Sequence, residues 1–226
     1  VAETLLVTGD ITRDEDQQQL RDTVYSAWGK VNLLLNNAGV KIAAGACDSP
    51  TLWRQQMEVN LLSMVATQHI FLPEMLKMED KGAIVNLGSK EGITTPPGFA
   101  AYNASKAAVK VLTEQLSYQL LKETGTRLTA HLLVPGYTWT DMNDPGMDER
   151  SGNKPDEAWT AAQVIDYFLP RFEHGDFYII CPDNAVTSEM DARRIMWAAQ
   201  DMLDNRPALS RWHPDWKTAF ERWMKS

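Results

Sequence analysis

Three polar side chains in one stretch could share a proton-transfer reaction. Residues 82–106 read GAIVNLGSKEGITTPPGFAAYNASK. A short apolar run ends at Gly88-Ser89, a Pro/Gly loop follows, and Tyr102 and Lys106 open a helical pattern. Residues four apart lie on one helix face, so the phenol and the ammonium are neighbours. A cation beside a phenol stabilises its ionised form and draws its pKa below about 10. A lowering of about three units corresponds to roughly 4 kcal/mol of differential stabilisation. The expected result is a proton donor and acceptor usable near neutral pH, with Ser89 as a second hydrogen-bonding group.

These groups meet only if a strand delivers Ser89 and a helix delivers Tyr102 and Lys106 to the same end of a sheet. Residues 4–8 read as a short strand ending at Gly9-Asp10. Thr12 to Glu15 matches a capping box, and Leu20, Val24 and Ala27 or Trp28 continue at helical spacing until Gly29. Residues 31–35 form a continuous apolar strand of the kind buried in a parallel sheet. Ser49-Pro50 then opens a long helix through Trp53, Asn60, Met64 and Ile70, expected to bend at Pro73. Residues 99–123 read as a helix, 127–134 as a strand, 137–154 as a loop, 155–173 as a helix, 177–181 as a last strand and 188–204 as a helix. The alternation predicts an α/β doubly wound parallel sheet with right-handed crossovers. Ligands bind such sheets at the C-terminal strand ends, where Asn37, Ser89 and Pro135-Gly136 fall. The expected organisation is one domain over residues 1–182 and a C-terminal helical extension, 183–226, packed on it. In that extension Trp216, Phe220 and Trp223 form an aromatic face that covers the domain or a partner subunit.

Composition fits this reading. The 226 residues are 44% hydrophobic and 23% charged, with a formal net charge of -8. The acidic balance and the lack of a basic run argue against nucleic acid or an anionic membrane as partner. Cys47 and Cys181 form no CxxC, so neither a disulfide framework nor a cysteine zinc site is expected and a reducing compartment, the cytoplasm, is. His69, His131, His174 and His213 make no metal-binding pattern. No stretch approaches the roughly 20 apolar residues of a membrane span.

The ordered set of motifs resembles the short-chain dehydrogenase/reductase family. Asn36-Asn37-Ala38-Gly39 follows an apolar strand; Asn60 sits in the next helix. Ser89 ends the next strand thirteen residues before Tyr102, Lys106 comes four later, and Pro135-Gly136 ends the following strand with Thr138 and Thr140 beyond. The resemblance runs from residue 4 to about 181. It implies a Rossmann-type fold and hydride transfer between NAD or NADP and an alcohol/carbonyl substrate. Tyr102 would be the acid/base, Ser89 the group that hydrogen-bonds the substrate oxygen, and Lys106 the residue that lowers the tyrosine pKa and binds the nicotinamide ribose. Asn60 would hold a water in a proton relay, or else bond backbone within its helix. Asn37, Ala38 and Gly39 would lie beside the cofactor, while Asn36 stitches neighbouring strands. Pro135, Gly136 and Thr138 or Thr140 would grip the nicotinamide carboxamide. Asp10 would cap the adenine side, or simply serve its turn. The resemblance also implies a homodimer or homotetramer paired through the two long helices.

The sequence departs from the family at its start. The glycine-rich TGxxxGxG turn that binds pyrophosphate has no counterpart here, and residues 7–10 correspond to the family's third strand. Two expectations follow: an N-terminal strand-helix-strand segment lies outside this sequence, or the protein is a truncated, non-catalytic relative. A non-redox epimerase or dehydratase using the same Tyr-Lys pair is a third. Tyr137, Trp139, Met142 and Phe99 are candidates for an apolar pocket wall or for core. The choice between NAD and NADP, and the substrate, are not encoded in any motif present.

Overall fold

The computed structural model describes residues 3–147 and 153–225. Four strands, β1 (Leu33–Asn36), β2 (Gly82–Leu87), β3 (Leu128–Val134) and β4 (Tyr178–Ile180), form one sheet in the order β1-β2-β3-β4. All neighbours are parallel, with Asn36 opposite Asn86 and Leu87 opposite Leu133. The helices are α1 (Asp14–Trp28), α2 (Pro50–Met57), α3 (Ser63–Lys77), α4 (Glu91–Thr94), α5 (Ala100–Thr124), α6 (Ala161–His174), α7 (Ser188–Leu203) and α8 (Lys217–Trp223).

Successive strand residues point to opposite faces, and the buried side chains divide accordingly. Ile84, Leu128 and Ala130 pack with Phe71 and Met75 of α3 and Leu116 and Leu120 of α5. Val85, Leu133 and Ile179 pack on the other face with Val164 and Phe168 of α6. The result is a three-layer, doubly wound α/β sheet, as the alternation of elements predicts.

Three local expectations are corrected. Residues 4–8 are not a strand: among the described residues nothing pairs with them, and Leu6 is 89% exposed. β1 is consequently the sheet edge, with Leu33 and Leu35 47% and 44% exposed. The capping box at Thr12 does not form, because the Thr12 N–H and hydroxyl both donate to Asp10 Oδ1, at 2.9 and 2.8 Å. Arg13 is the N-cap of α1 and contributes no side-chain hydrogen bond.

The long helix from Pro50 runs on to Lys77 with Pro73 inside it, and the departure from α geometry falls at a π-turn, Glu58–Leu62. Finally, α6 starts at Ala161 rather than near 155. The preceding backbone is spent on a bridge to the loop after β3: the Trp159 N–H donates to Tyr137 O and the Trp139 N–H to Trp159 O, at 2.9 and 2.8 Å. Thr160 then caps the helix in a reciprocal box with Gln163.

The C-terminal extension packs around Trp197 of α7. The rings of Trp216, Phe220 and Trp223 lie 6.3, 5.4 and 6.0 Å from it, and Arg206 stacks over it at 4.5 Å. No described helix is long and apolar enough to cross a membrane, and both cysteines are free thiols.

Candidate active site

A cleft of about 770 Å3 opens at the C-terminal ends of β1, β2 and β3. Its walls include Asn37, Ala38 and Gly39 after β1, Ser89 after β2, Tyr102 and Lys106 from α5, and Pro135, Gly136, Thr138 and Thr140 after β3. The sequence candidates therefore converge, with two exceptions. Asn60 is fully buried behind the wall. Asp10 lies outside the cleft lining and serves its own turn through Thr12, whose two hydrogen bonds hold the Asp10 carboxyl below its ordinary pKa.

Ser89 is positioned by the end of β2. The Gly88 N–H still donates to Leu133 O at 2.7 Å, so the ladder runs to the residue before the serine. Ser89 Oγ accepts the Glu91 N–H at 3.2 Å and starts the short α4 turn. That turn is pressed onto α5 at Gly92, where a Cβ would stand 2.5 Å from the carbonyl carbon of Lys106. Only a glycine permits this approach.

Lys106 is almost completely buried, and its Nζ donates to Leu87 O at 2.7 Å. Burial lowers its pKa to about 8. Tyr102 is buried beside it, with Lys106 Nζ 6.0 Å and Lys41 Nζ 5.2 Å from the ring centre. Burial raises the phenol pKa, a hydrogen bond with Ser89 opposes this, and the Glu91 charge adds to the rise. The expected lowering of the phenol is therefore not present in this state of the site. Desolvation outweighs the Ser89 hydrogen bond, and the two nearby cations are engaged elsewhere, Lys106 with Leu87 O and Lys41 with Glu91 at 2.6 Å.

The loop after β1 is held by side chains from one helix face. Asn60, in the π-turn, accepts the Val40 N–H at 2.8 Å and donates to Val40 O at 2.9 Å and Ser105 Oγ at 3.1 Å. Gln56, one turn earlier and also fully buried, accepts the Ile42 N–H at 2.8 Å and donates to Val40 O at 2.7 Å. Asn60 thus ties the backbone of the loop after β1 to the helix that carries it and to Ser105 of α5. Gln56 went unnoticed in the sequence; two buried amides at i and i+4 are its signal. Asn36 donates to Asn86 Oδ1 at 2.8 Å across the β1–β2 pair, stitching the strands.

Lys41, Lys90 and Glu91 also line the cleft and carry no motif signal. Of the four apolar wall candidates, Tyr137 and Met142 line it; Trp139 is buried elsewhere, and Phe99 is half-exposed beneath Lys41. The candidate loop at 137–154 is described to residue 147, with Asn143 Nδ2 donating to Thr138 O at 2.9 Å; residues 148–152 lie outside the described residues.

The residues present fit one half of a nicotinamide dinucleotide. A Cβ at Gly39 would fall 3.4 Å from Asn60 Oδ1 and 3.8 Å from Lys106 Nζ, so the glycine keeps space open beside the buried lysine. The pyrophosphate half finds no glycine-rich turn among the described residues. The Gly9-Asp10 turn leads into α1, whose first turn carries Asp14, Glu15 and Asp16, and Asp16 Oδ2 already accepts the Asp10 N–H at 2.8 Å. No group of three or more potential metal ligands occurs among the described residues.

Comparison with known proteins adds an independent line. The family model for short chain dehydrogenases matches residues 2–151. A CLA biosynthesis dehydrogenase/reductase of Lactiplantibacillus plantarum is 31% identical over 142 residues, 62% of this chain and 49% of that protein. An uncharacterized oxidoreductase of Staphylococcus saprophyticus is 31% identical over 175 residues, 77% of this chain and 71% of the relative. The chain thus spans about half the length of the first and under three quarters of the second. Among solved structures, a short chain dehydrogenase/reductase from Burkholderia phymatum in complex with NAD superposes with a TM-score of 0.73 at 26% identity, over 87% of this chain and 75% of that one.

Proposed function

The chain belongs to the short-chain dehydrogenase family, and on that premise we propose that its cleft transfers hydride between NAD or NADP and a small alcohol/carbonyl substrate, with Tyr102 as the acid/base. One observation carries this reading: Ser89, after β2, and Tyr102 and Lys106, of α5, line a single cleft together with Asn37–Gly39 and with Pro135, Gly136, Thr138 and Thr140. Nicotinamide bound there supplies or accepts the hydride. Everything else falls to the chain's own residues.

Ser89 and Tyr102 hydrogen-bond the substrate oxygen and stabilise the charge that develops on it. Burial keeps the phenol protonated at neutral pH, so Tyr102 holds the proton that a carbonyl oxygen needs. Lys106, with a pKa of about 8, is mainly cationic at pH 7 and provides the charge toward which a phenolate is drawn. Lys106 and Tyr102 would hold the nicotinamide ribose, Asn37 to Gly39 its near face, and Pro135, Gly136, Thr138 and Thr140 the carboxamide. Val65, Val111, Tyr118 and Leu121 leave apolar surface exposed on the two long helices, which supports pairing of copies there.

The test uses the longest form of the protein that its gene encodes. NADH and NADPH fluorescence titrations, followed by turnover on a panel of ketones and aldehydes, should give saturable binding of one nucleotide. Tyr102→Phe should retain that binding and lose about 10²- to 10⁴-fold in turnover. No saturable binding of either nucleotide ends the reading.

A further inference from the structure

A second, smaller cavity lies behind the cleft, between α4, β4 and α7. It measures about 40 Å3 and is lined by Lys90, Asp191, Arg194 and Arg211, with Ile93, Ile180 and Ile195 as its apolar wall. Three cations therefore surround one carboxylate. Lys90 Nζ lies 2.6 Å from Asp191 Oδ2 and 3.6 Å from Asp183 Oδ2, and all three side chains are largely buried. The Asp183 carboxylate is otherwise engaged with backbone: Oδ2 accepts the Tyr137 N–H at 2.9 Å, and Oδ1 accepts those of Ala185 and Val186.

Counting Asp183 and Asp191 against Lys90, Arg194 and Arg211 leaves one positive charge without a counter-charge among the described residues. The other facing titratable group, the Cys181 thiol, is pushed up to about 12 by burial and stays neutral. Arg194 Nε is buried with no hydrogen-bond acceptor. Arg211 is held over the rings of Trp212 and Phe220, at 4.6 and 5.0 Å, so it cannot swing out to water without giving up both contacts. Burial and then the Arg194 charge bring its pKa down to about 10, against the opposing pull of Asp191. In a chain of formal net charge -8 this is an anomaly of charge placement.

A cavity of this size exceeds the ~10–15 Å3 that one water requires and is far too small for a nucleotide. We propose that it binds a small inorganic anion, phosphate or chloride, through Arg194, Arg211 and Lys90. The anion would supply the missing counter-charge and the missing acceptor for Arg194 Nε. Lys90 lines both this cavity and the cleft and follows Ser89 directly in sequence. An occupied site therefore fixes the serine loop from behind. The proposal does not depend on the redox reading.

Thermal unfolding at constant pH and ionic strength tests it, with potassium gluconate, whose anion is too bulky for the cavity, exchanged stepwise for chloride or phosphate. A ligand that binds only the folded state raises the midpoint with the logarithm of its concentration once that exceeds Kd. The expected result is a rise that grows logarithmically with chloride, phosphate or both, the two series showing which ion the site takes. Arg211→Gln should weaken the apparent affinity about tenfold or more, and Arg211→Lys should restore part of it. Asp191→Asn has the opposite sign: removing a negative charge should tighten the anion. If Arg211→Gln does not fold, Arg194→Gln and Asp191→Asn still give the opposed shifts. Equal midpoints in all three salts, or the same salt response in the Arg and Asp variants as in the parent, overturn the proposal.

Discussion

Gly92 rests against the backbone of Lys106, so close that a Cβ would lie 2.5 Å from the lysine's carbonyl carbon and 2.7 Å from the next amide nitrogen. This contact fixes the distance between the turn after Ser89 and the helix that carries Tyr102. Backbone cannot yield as a side-chain tip can, so Gly92→Ala must part α4 from α5. The expected cost is about 1–3 kcal/mol, read in urea unfolding. In an active preparation the turnover falls further than stability alone explains, since Ser89 moves with the turn. A variant as stable as the parent would mean that the contact is looser than described.

Lys106 makes stability depend on pH in a definite direction. Its folded pKa, about 8, lies below the ordinary 10.5, so between these values the unfolded chain binds more protons. The burial penalty is complete below pH 8, about 3 kcal/mol, and disappears as the pH rises toward 10.5. Lys106→Met should therefore gain most on the parent near pH 7 and progressively less by pH 9.5. Urea unfolding of both proteins across that range checks the difference. A constant gap would contradict the lowered pKa.

Asn86 is the centre of a buried polar network. Its Oδ1 accepts from Asn36 Nδ2 and Gln68 Nε2, at 2.8 and 3.1 Å, and its Nδ2 donates to Thr113 Oγ1 at 3.0 Å. Asn86→Ala strands two donors and one acceptor inside the protein, at about 1–3 kcal/mol each when unrelieved. The expected loss is about 3 kcal/mol or more, against about 1 kcal/mol for Ile84→Val on the same strand. A loss below that of Ile84→Val would show that water reaches the network.

The two cysteines should separate cleanly by reactivity. Cys47 is exposed, whereas Cys181 is buried and its thiol is pushed up to about 12. The thiolate is the reactive form. A disulfide reagent at pH 8 should titrate one thiol in the native protein and two in denaturant. Two rapid equivalents under native conditions would mean that β4 opens readily.

Much of this architecture is legible in the sequence because hydrophobic period and turn chemistry agree. The β2 run, the α5 face through Leu116 and Leu120, and the Ser188 helix fall within a residue or two of their expected bounds. Misreadings arise where a local signal meets a competing partner. Residues 4–8 have strand composition, but a strand exists only when something pairs with it. Thr12 has the right spacing for a cap, yet Asp10 takes its donors first. The site shows the same limit. Ser89, Tyr102 and Lys106 are visible by spacing, but the raised phenol pKa depends on how deep the pair is buried, and that is a property of the packed fold. Gln56, Lys41 and Lys90 act through long-range contacts, at Val40, Glu91 and Asp191, that no local window contains.

The position of β1 at the rim of the described sheet has a consequence for this chain in concentrated solution. A strand at the rim of a parallel sheet presents one row of backbone donors and acceptors outward, and here Leu33 and Leu35 lend that rim a half-exposed apolar flank. Such a rim is a template on which any extended chain of suitable pattern can grow. Leu35 also lines the cleft that holds Tyr102, whereas Leu33 does not, so a charged residue placed at Leu33 would blunt this rim and improve solubility while sparing the cleft.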